Sequence, residues 1–253
     1  MKRIRLVVAY DGTNYCGWQV QPNGVTIEEK LNHSITELTG ERIHVTGASR
    51  TDSGVHALGN VAVFDTESSI PPERFAYALN QRLPGDIVVV CSDEVSPLWH
   101  PRHQDHIIKT YEYHIYNEKV PNPLKSRYSA YVSFPLDIEL MKQGASYLVG
   151  EHDFSSFCNV RTNAIDTVRT IYDIEIWKEG PEITIRVTGN GFLYNMVRII
   201  AGTLIRVGRK FYTPEKIKDI MEIKKHTADG VTAPPEGLVL VEIKYEEHKV
   251  VNN

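Results

Sequence analysis

The chain has 253 residues, 42% hydrophobic and 24% charged, an ordinary globular balance that suits one large domain or two small ones. No apolar run approaches the ~20 residues that cross a bilayer, and Met1-Lys2-Arg3-Ile4-Arg5 lacks the apolar block of a signal peptide. Cys16, Cys91 and Cys158 are too scattered to suggest a disulfide framework or a metal site, so a reducing cytoplasm fits, and the net charge of −4 does not by itself invite phosphate.

In chain order, Lys2 to Tyr10 alternates Ile4, Leu6 and Val8 on one face and predicts a strand. It runs into Tyr10-Asp11-Gly12-Thr13-Asn14-Tyr15, a turn-rich loop, then Gly17-Trp18-Gln19. Thr26 and Glu29 form the signature of a capping box, Ile27, Leu31, Ile35 and Leu38 share a helical face, and Gly40 ends the helix. His44-Val45-Thr46 and Gly59 to Phe64 read as strands, with residues 47–57 between them. Pro71-Pro72 opens a second helix with Phe75, Ala78 and Leu79. Leu83-Pro84-Gly85-Asp86 then turns into the strand Ile87-Val88-Val89-Val90, giving βαββαβ.

The order repeats. Ile107 to Tyr116 is a strand, Asp137 caps a helix with Ile138, Met141, Ala145 and Leu148, and Val168 to Trp177 and Glu182 to Thr188 are strands. An apolar helix runs from about Phe192 to Val207, Thr213-Pro214 opens another, and Leu238 to Tyr245 closes the set. The prediction is an α+β fold of two ferredoxin-like βαββαβ halves, residues 1–105 and 106–248, with a short tail at 249–253. The halves are expected to form one continuous mixed sheet with helices on one side and a central cleft.

The titratable residues concentrate in Gly47-Ala48-Ser49-Arg50-Thr51-Asp52-Ser53-Gly54-Val55-His56-Ala57. A chain reversal needs Ser53-Gly54 but not an arginine, a carboxylate and a histidine. The competing reading is a solvated loop in which Asp52 only caps the turn. Arg198 lies within the apolar helix, where a guanidinium needs an anionic partner unless it reaches the surface along its stem. Asp52 is the candidate partner, and losing either would leave the other charge unpaired, at about 3–5 kcal/mol. Tyr111, on the strand Lys109-Thr110-Tyr111-Glu112-Tyr113, suits either a base-stacking platform or an ordinary cross-strand contact. Basic residues gather at Arg198, Arg206, Arg209, Lys210, Lys216, Lys218, Lys224 and Lys225, and again at Arg102, Lys109, Lys119, Lys125 and Arg127. Solvated helix faces would also explain such runs.

These segments together resemble the TruA family of tRNA pseudouridine synthases over nearly the whole chain. Arg50-Thr51-Asp52-x-Gly54-Val55-His56 resembles the family's catalytic motif, and Tyr10-Asp11-Gly12-Thr13-x-Tyr15-x-Gly17-Trp18-Gln19 its N-terminal signature. Asn80-x-x-Leu83-Pro84-Gly85-Asp86-Ile87, Gly150-Glu151-His152-Asp153-Phe154, Phe192-Leu193-Tyr194-Asn195-Met196-Val197-Arg198 and Glu236-Gly237-Leu238 are similar in the same order. The resemblance implies a tRNA pseudouridine synthase fold and isomerisation of uridine at positions 38, 39 and 40 of the anticodon stem-loop. It also implies a homodimer, tRNA as partner, and neither cofactor nor metal. By resemblance Asp52 is the essential carboxylate, Arg198 pairs with it, Tyr111 stacks on the target base and Arg50 assists base flipping and contacts phosphate. His56, Asp11 and Asn195 are carried over as substrate-binding residues. The chain departs from the pattern in a slightly longer 102–111 segment and in His226, where arginine is common.

Three other readings follow from the residues. A non-catalytic RNA-binding or RNA-folding module would use the same cleft. A glycoside hydrolase needs a second carboxylate, for which Asp11 is the candidate, although Asp11 also suits its own Asp-Gly turn. A metal site at His100-x-x-His103-x-x-His106 has helical spacing in a stretch that reads as a loop.

Overall fold

Alternation builds the first strand as expected: in β1 (Lys2–Tyr10) Ile4, Leu6, Val8 and Tyr10 are buried while the residues between them are half-buried. The structure is a computed structural model that describes residues 1–159, 166–224 and 231–245. Lys225, His226 and the expected tail at 249–253 lie outside the described residues. By contact clustering the chain forms two units. Unit 1 holds Met1–Ser53, Ala57–Lys109 and Val241–Asn253, and unit 2 holds Gly54–His56 and Thr110–Leu240.

In unit 1, β1 is followed by α1 (Ile27–Thr39), β2 (Thr46–Gly47), β3 (His56–Thr66), α2 (Phe75–Leu79) and β4 (Ile87–Val95). The capping box forms: the Glu29 amide donates to Thr26 Oγ1 at 3.3 Å and the Thr26 amide to Glu29 Oε2 at 3.4 Å. Gly40 ends α1 in the left-handed region at φ 74°. α1 buries Ile27, Leu31 and Ile35, and α2 buries Phe75, which meets Phe64 of β3 edge to face at 5.3 Å. β1 pairs antiparallel with β3 and with β4. On the half-buried face of β1, Arg3 pairs with Asp65 and Arg5 with Asp93.

In unit 2 come β5 (Ile107–Asn117), β6 (Ala130–Val132), α3 (Ile138–Ser146), β7 (Gly150–Asp153), β8 (Val168–Glu179), β9 (Glu182–Gly189), α4 (Met196–Gly208), α5 (Lys216–Ile223) and β10 (Leu238–Tyr245). Unit 1 takes up β5 through Lys109 and β10 from Val241 onward. Ten strands hydrogen-bond in one mixed sheet, in the order β4-β1-β3-β10-β5-β9-β8-β7, with β2 on β3 and β6 parallel to β5. The run β10-β5-β9-β8 is the 4-1-3-2 order of a ferredoxin-like unit, and β4-β1-β3 with β2 on β3 repeats it. The paired strands β8 and β9 reverse at Gly180 and Pro181, with Glu179 opposite Glu182. The corresponding reversal, from β2 to β3, is the loop of residues 48–55, of which 48–53 belong to unit 1.

The apolar helix starts later than its pattern predicts. Residues from Phe192 are apolar enough for helix, yet Asn195 sits in the left-handed region at φ 61° and α4 begins at Met196. Asparagine tolerates that conformation, so a turn closed by the Met196 amide on the Leu193 carbonyl precedes the helix. α4 buries Met196, Val197, Ile199, Ile200, Leu204 and Val207, while Arg198 is half-buried. Its Gly202 lets the chain at 231–233 approach: a Cβ there would lie 1.8 Å from the Val231 carbonyl oxygen. Cys16, Cys91 and Cys158 are unbridged. No helix among the described residues is long and apolar enough to cross a membrane.

Candidate active site

The loop between β2 and β3 presents Asp52, and four backbone carbonyls in it or at its start are tied down. Arg102 Nε donates to the Gly47 oxygen at 2.7 Å and Lys109 Nζ to the Ala48 oxygen at 3.0 Å. Asn60 Nδ2 donates to the Ser49 oxygen at 3.0 Å, and the Trp18 amide to the Thr51 oxygen at 3.0 Å. Unpaired carbonyls in a half-buried loop would be costly, so these four donors remove the loop's main reason to rearrange. Side chains complete the frame. Asn60 Oδ1 accepts from the Ser49 amide at 3.2 Å, and the Tyr10 hydroxyl meets Thr51 Oγ1 at 2.7 Å and accepts from Asn60 Nδ2 at 3.3 Å. Asn60 and Trp18 are fully buried. Thr51 is buried, Asp52 half-buried and Arg50 exposed.

The N-terminal signature has a structural explanation in this frame. Gly17 has φ 86°, and a Cβ on it would lie 2.6 Å from the Thr51 oxygen, so only glycine lets residues 15–18 lie against the loop. Ser53 Oγ donates to the Tyr15 oxygen at 3.2 Å, and the Tyr15 hydroxyl donates to Asp86 Oδ1 at 2.5 Å. Burial, with that carboxylate, pushes the Tyr15 phenol well above its ordinary value. Asp11 caps the short turn Gly12–Asn14, its Oδ1 accepting from the Thr13 amide at 3.0 Å and from the Thr13 hydroxyl at 2.5 Å. The turn-forming role weighed for Asp11 is therefore present.

Unit 2 holds the remaining predicted residues. Arg198 is positioned by its own neighbours: Nε donates to the Ala233 oxygen at 2.7 Å and Nη1 to Asn195 Oδ1 at 2.9 Å. The left-handed turn at Asn195 thus fixes the guanidinium one helical turn later, bringing two of the predicted residues together. Tyr113 donates to the Pro234 oxygen at 2.8 Å, and burial pushes its phenol far above its ordinary value. Tyr111 lies nearly buried, edge to face with Phe192 at 5.2 Å and 81°. His56 is buried against Tyr128, ring centroids 5.3 Å apart. Asp11, Arg50 and Asp52 belong to unit 1; His56, Tyr111, Asn195 and Arg198 belong to unit 2.

The His100–His106 stretch is turn and bend, without the helix that metal-ligand spacing would need. The His100 and His103 rings stack at 4.2 Å, and no group of three metal-binding side chains occurs among the described residues. Sequence reasoning missed Asn60, which it placed in a strand without a role. It also gave Arg102 and Lys109 only as members of a basic run. An asparagine beside glycine in an otherwise apolar strand was the available signal for Asn60.

Comparison with known proteins shows the family. A family model described as tRNA pseudouridine synthase matches residues 6–104 and 145–246. The chain is 48% identical over 245 residues to "tRNA pseudouridine synthase A" of Thermoanaerobacter sp. (strain X514), covering 97% of this chain and 100% of that protein. Proteins of the same name from Acetivibrio thermocellus and Brevibacillus brevis are 47% and 46% identical, again over 97% of this chain and 100% of their own length. Among solved structures, a chain of the Cbf5-Nop10-Gar1 complex aligns at 14% identity over 95% of this chain and 48% of that one. Its TM-score of 0.32 is too low to argue from.

Proposed function

Since the chain belongs to the tRNA pseudouridine synthase A family, we propose that it converts uridine to pseudouridine at positions 38, 39 and 40 of the anticodon stem-loop. The reaction is an isomerisation. The N1–C1′ bond breaks, the uracil turns, a C5–C1′ bond forms, the C5 proton leaves and N1 gains one. In this reading Asp52 is the catalytic carboxylate. Attack on C1′, addition to the uracil ring and removal of the C2′ proton each ask the same of it, an ionised carboxylate held on a stem that does not yield. The observation carrying the proposal is the clamped loop: four of the backbone carbonyls around Asp52 are each taken by a donor from elsewhere in the chain.

The other residues take the roles that the resemblance implies. Arg198, aimed by Asn195 and the Ala233 carbonyl, supplies the countercharge to Asp52. Tyr111 is the floor on which the target base stacks once it leaves the helix, offsetting an unstacking cost of a few kcal/mol. Arg50, His56 and Asp11 contact the RNA. We place the enzyme in the cytoplasm, in keeping with three unbridged cysteines, and as a homodimer. Light scattering of the purified 28.7 kDa chain should then give twice that mass. A purely RNA-binding module is disfavoured by full-length relatives that are all named synthases.

The test is Asp52→Asn, which keeps size and hydrogen bonding but removes the charge. Base-resolution mapping of unmodified tRNA treated with this variant should show no pseudouridine, with tRNA affinity within a few-fold of wild type. Undiminished turnover would refute the role given to Asp52.

A further inference from the structure

The loop that carries Asp52 has a second guanidinium behind it. Arg102 is half-buried, and its Nε is committed to the Gly47 oxygen at 2.7 Å, so its position is set by the loop itself. That one bond uses a single donor of the five on a guanidinium. Arg50 stands three residues further along the same loop, exposed and in no hydrogen bond or ion pair among the described residues. The two charges feel each other. Burial lowers the Arg102 pKa most, the Arg50 charge lowers it further, and Glu28 opposes both. Glu28 is an incomplete counterion, because its carboxylate already accepts from the Val20 amide at 2.8 Å. Two like charges at one short loop, Arg50 on it and a partly desolvated Arg102 bonded to it from the segment between β4 and β5, are an unfavourable arrangement unless an anion joins them.

We propose that Arg102 is a phosphate-binding residue, gripping together with Arg50 a single backbone phosphate of the RNA strand that carries the target uridine. The inference rests on the reading of the chain as a tRNA-modifying enzyme and extends it to one specific contact. A forked guanidinium suits a phosphate because two parallel N–H donors match two phosphate oxygens. Its Nε anchor also couples the contact to the Asp52 loop, so engaging the phosphate pulls on the segment that holds the carboxylate. Arg102 is then both an RNA contact and a positioning residue.

The test is a methylphosphonate scan of an anticodon stem-loop RNA, neutralising one phosphate at a time, with the full-length wild type, Arg102→Gln and Arg50→Gln. At one position near the target uridine, wild type should lose about tenfold in affinity, and both variants should lose almost nothing further. Both variants should also flatten the plot of log affinity against log salt by roughly one phosphate, about 0.7 to 0.9. Arg50→Gln, an exposed substitution, keeps the scan informative should Arg102→Gln unfold. If Arg102→Gln lowers kcat while salt slope and methylphosphonate profile stay those of wild type, Arg102 merely supports the loop and the phosphate site is overturned. If wild type itself makes no pseudouridine, it is the enzymatic reading that fails, whatever the binding profile.

Discussion

At the scale of single residues, the buried hydroxyl of Tyr10 does more for the site than its place in a strand suggests. It joins Thr51 and Asn60 beneath Asp52 at 2.7 and 3.3 Å. Tyr10→Phe leaves both partners short of a bond in a dry environment, and should cost about 1–3 kcal/mol in urea unfolding. Turnover should fall more than apparent substrate affinity, because the carboxylate's stem is loosened while RNA contacts stay. The sequence singled out Asp52, Arg198 and Tyr111 as candidates, since charged and aromatic side chains in apolar or turn settings stand out. It hid Asn60, Arg102 and Lys109, whose roles are hydrogen bonds to backbone oxygens far along the chain. His114 offers a separate check on the packing of unit 2. Burial lowers its pKa below the ordinary 6.5, His56 adds to this, and Glu112 and Glu182 oppose it. The folded state therefore favours neutral His114. Its stabilising contribution is complete above about pH 6.5 and is lost as pH falls below that value. Substituting His114→Gln should shrink the drop in melting temperature between about pH 7.5 and pH 5.5 relative to wild type.

At the scale of elements, the long periodic segments were readable and the short ones were not. α1 has its box, its apolar face and its glycine stop in plain sequence, and all three occur. β6 and β7 span only Ala130–Val132 and Gly150–Asp153, too few residues for a period of two to emerge. β2 is Thr46–Gly47 where the sequence predicted His44–Thr46, and the Val45 amide donates to Asn32 Oδ1 at 2.8 Å instead of to a ladder. The start of α4 was misplaced because hydrophobicity cannot reveal a left-handed asparagine. The other end of that packing is testable through Gly202. A methyl group there would meet the Val231 oxygen at 1.8 Å, and the Ala233 amide also binds the Arg198 oxygen at 3.0 Å, so neither backbone can easily yield. Gly202→Ala should cost about 3 kcal/mol in stability. As a control, Gly85→Ala meets nothing within 4 Å and should change stability by less than about 1 kcal/mol. Equal stability of the two variants would contradict the close approach of residues 231–233 to α4.

At the scale of the whole molecule, the repeated 4-1-3-2 strand order explains where chemistry can be placed. The same reversal, from second to third strand, is a tight turn at Gly180 and Pro181 in unit 2 and the long Asp52 loop in unit 1. One copy closes its hairpin and the other opens it onto a scaffold that stays rigid. The molecule must then hold a polyanion with a net charge of −4. Ion pairing leaves that total unchanged, since each pair uses one cation for each carboxylate. Arg3–Asp65, Arg5–Asp93, Arg186–Glu112 and Lys210–Asp137 pair at 2.7, 2.6, 2.6 and 3.2 Å, which cancels those carboxylates locally. Beyond a Debye length of about 8 Å at physiological salt, the total charge matters little, and phosphate senses the nearest cations. Fixing a stem-loop in one orientation takes at least three phosphate contacts that do not lie in line. Each contributes roughly −0.7 to −0.9 to the slope of log affinity against log salt, so a slope of about −2 or steeper is expected despite the negative total. Fluorescence anisotropy of a labelled stem-loop in increasing potassium chloride measures it. A slope near zero would mean that the local cations do not meet the backbone, and the binding face assumed for the RNA would have to be abandoned.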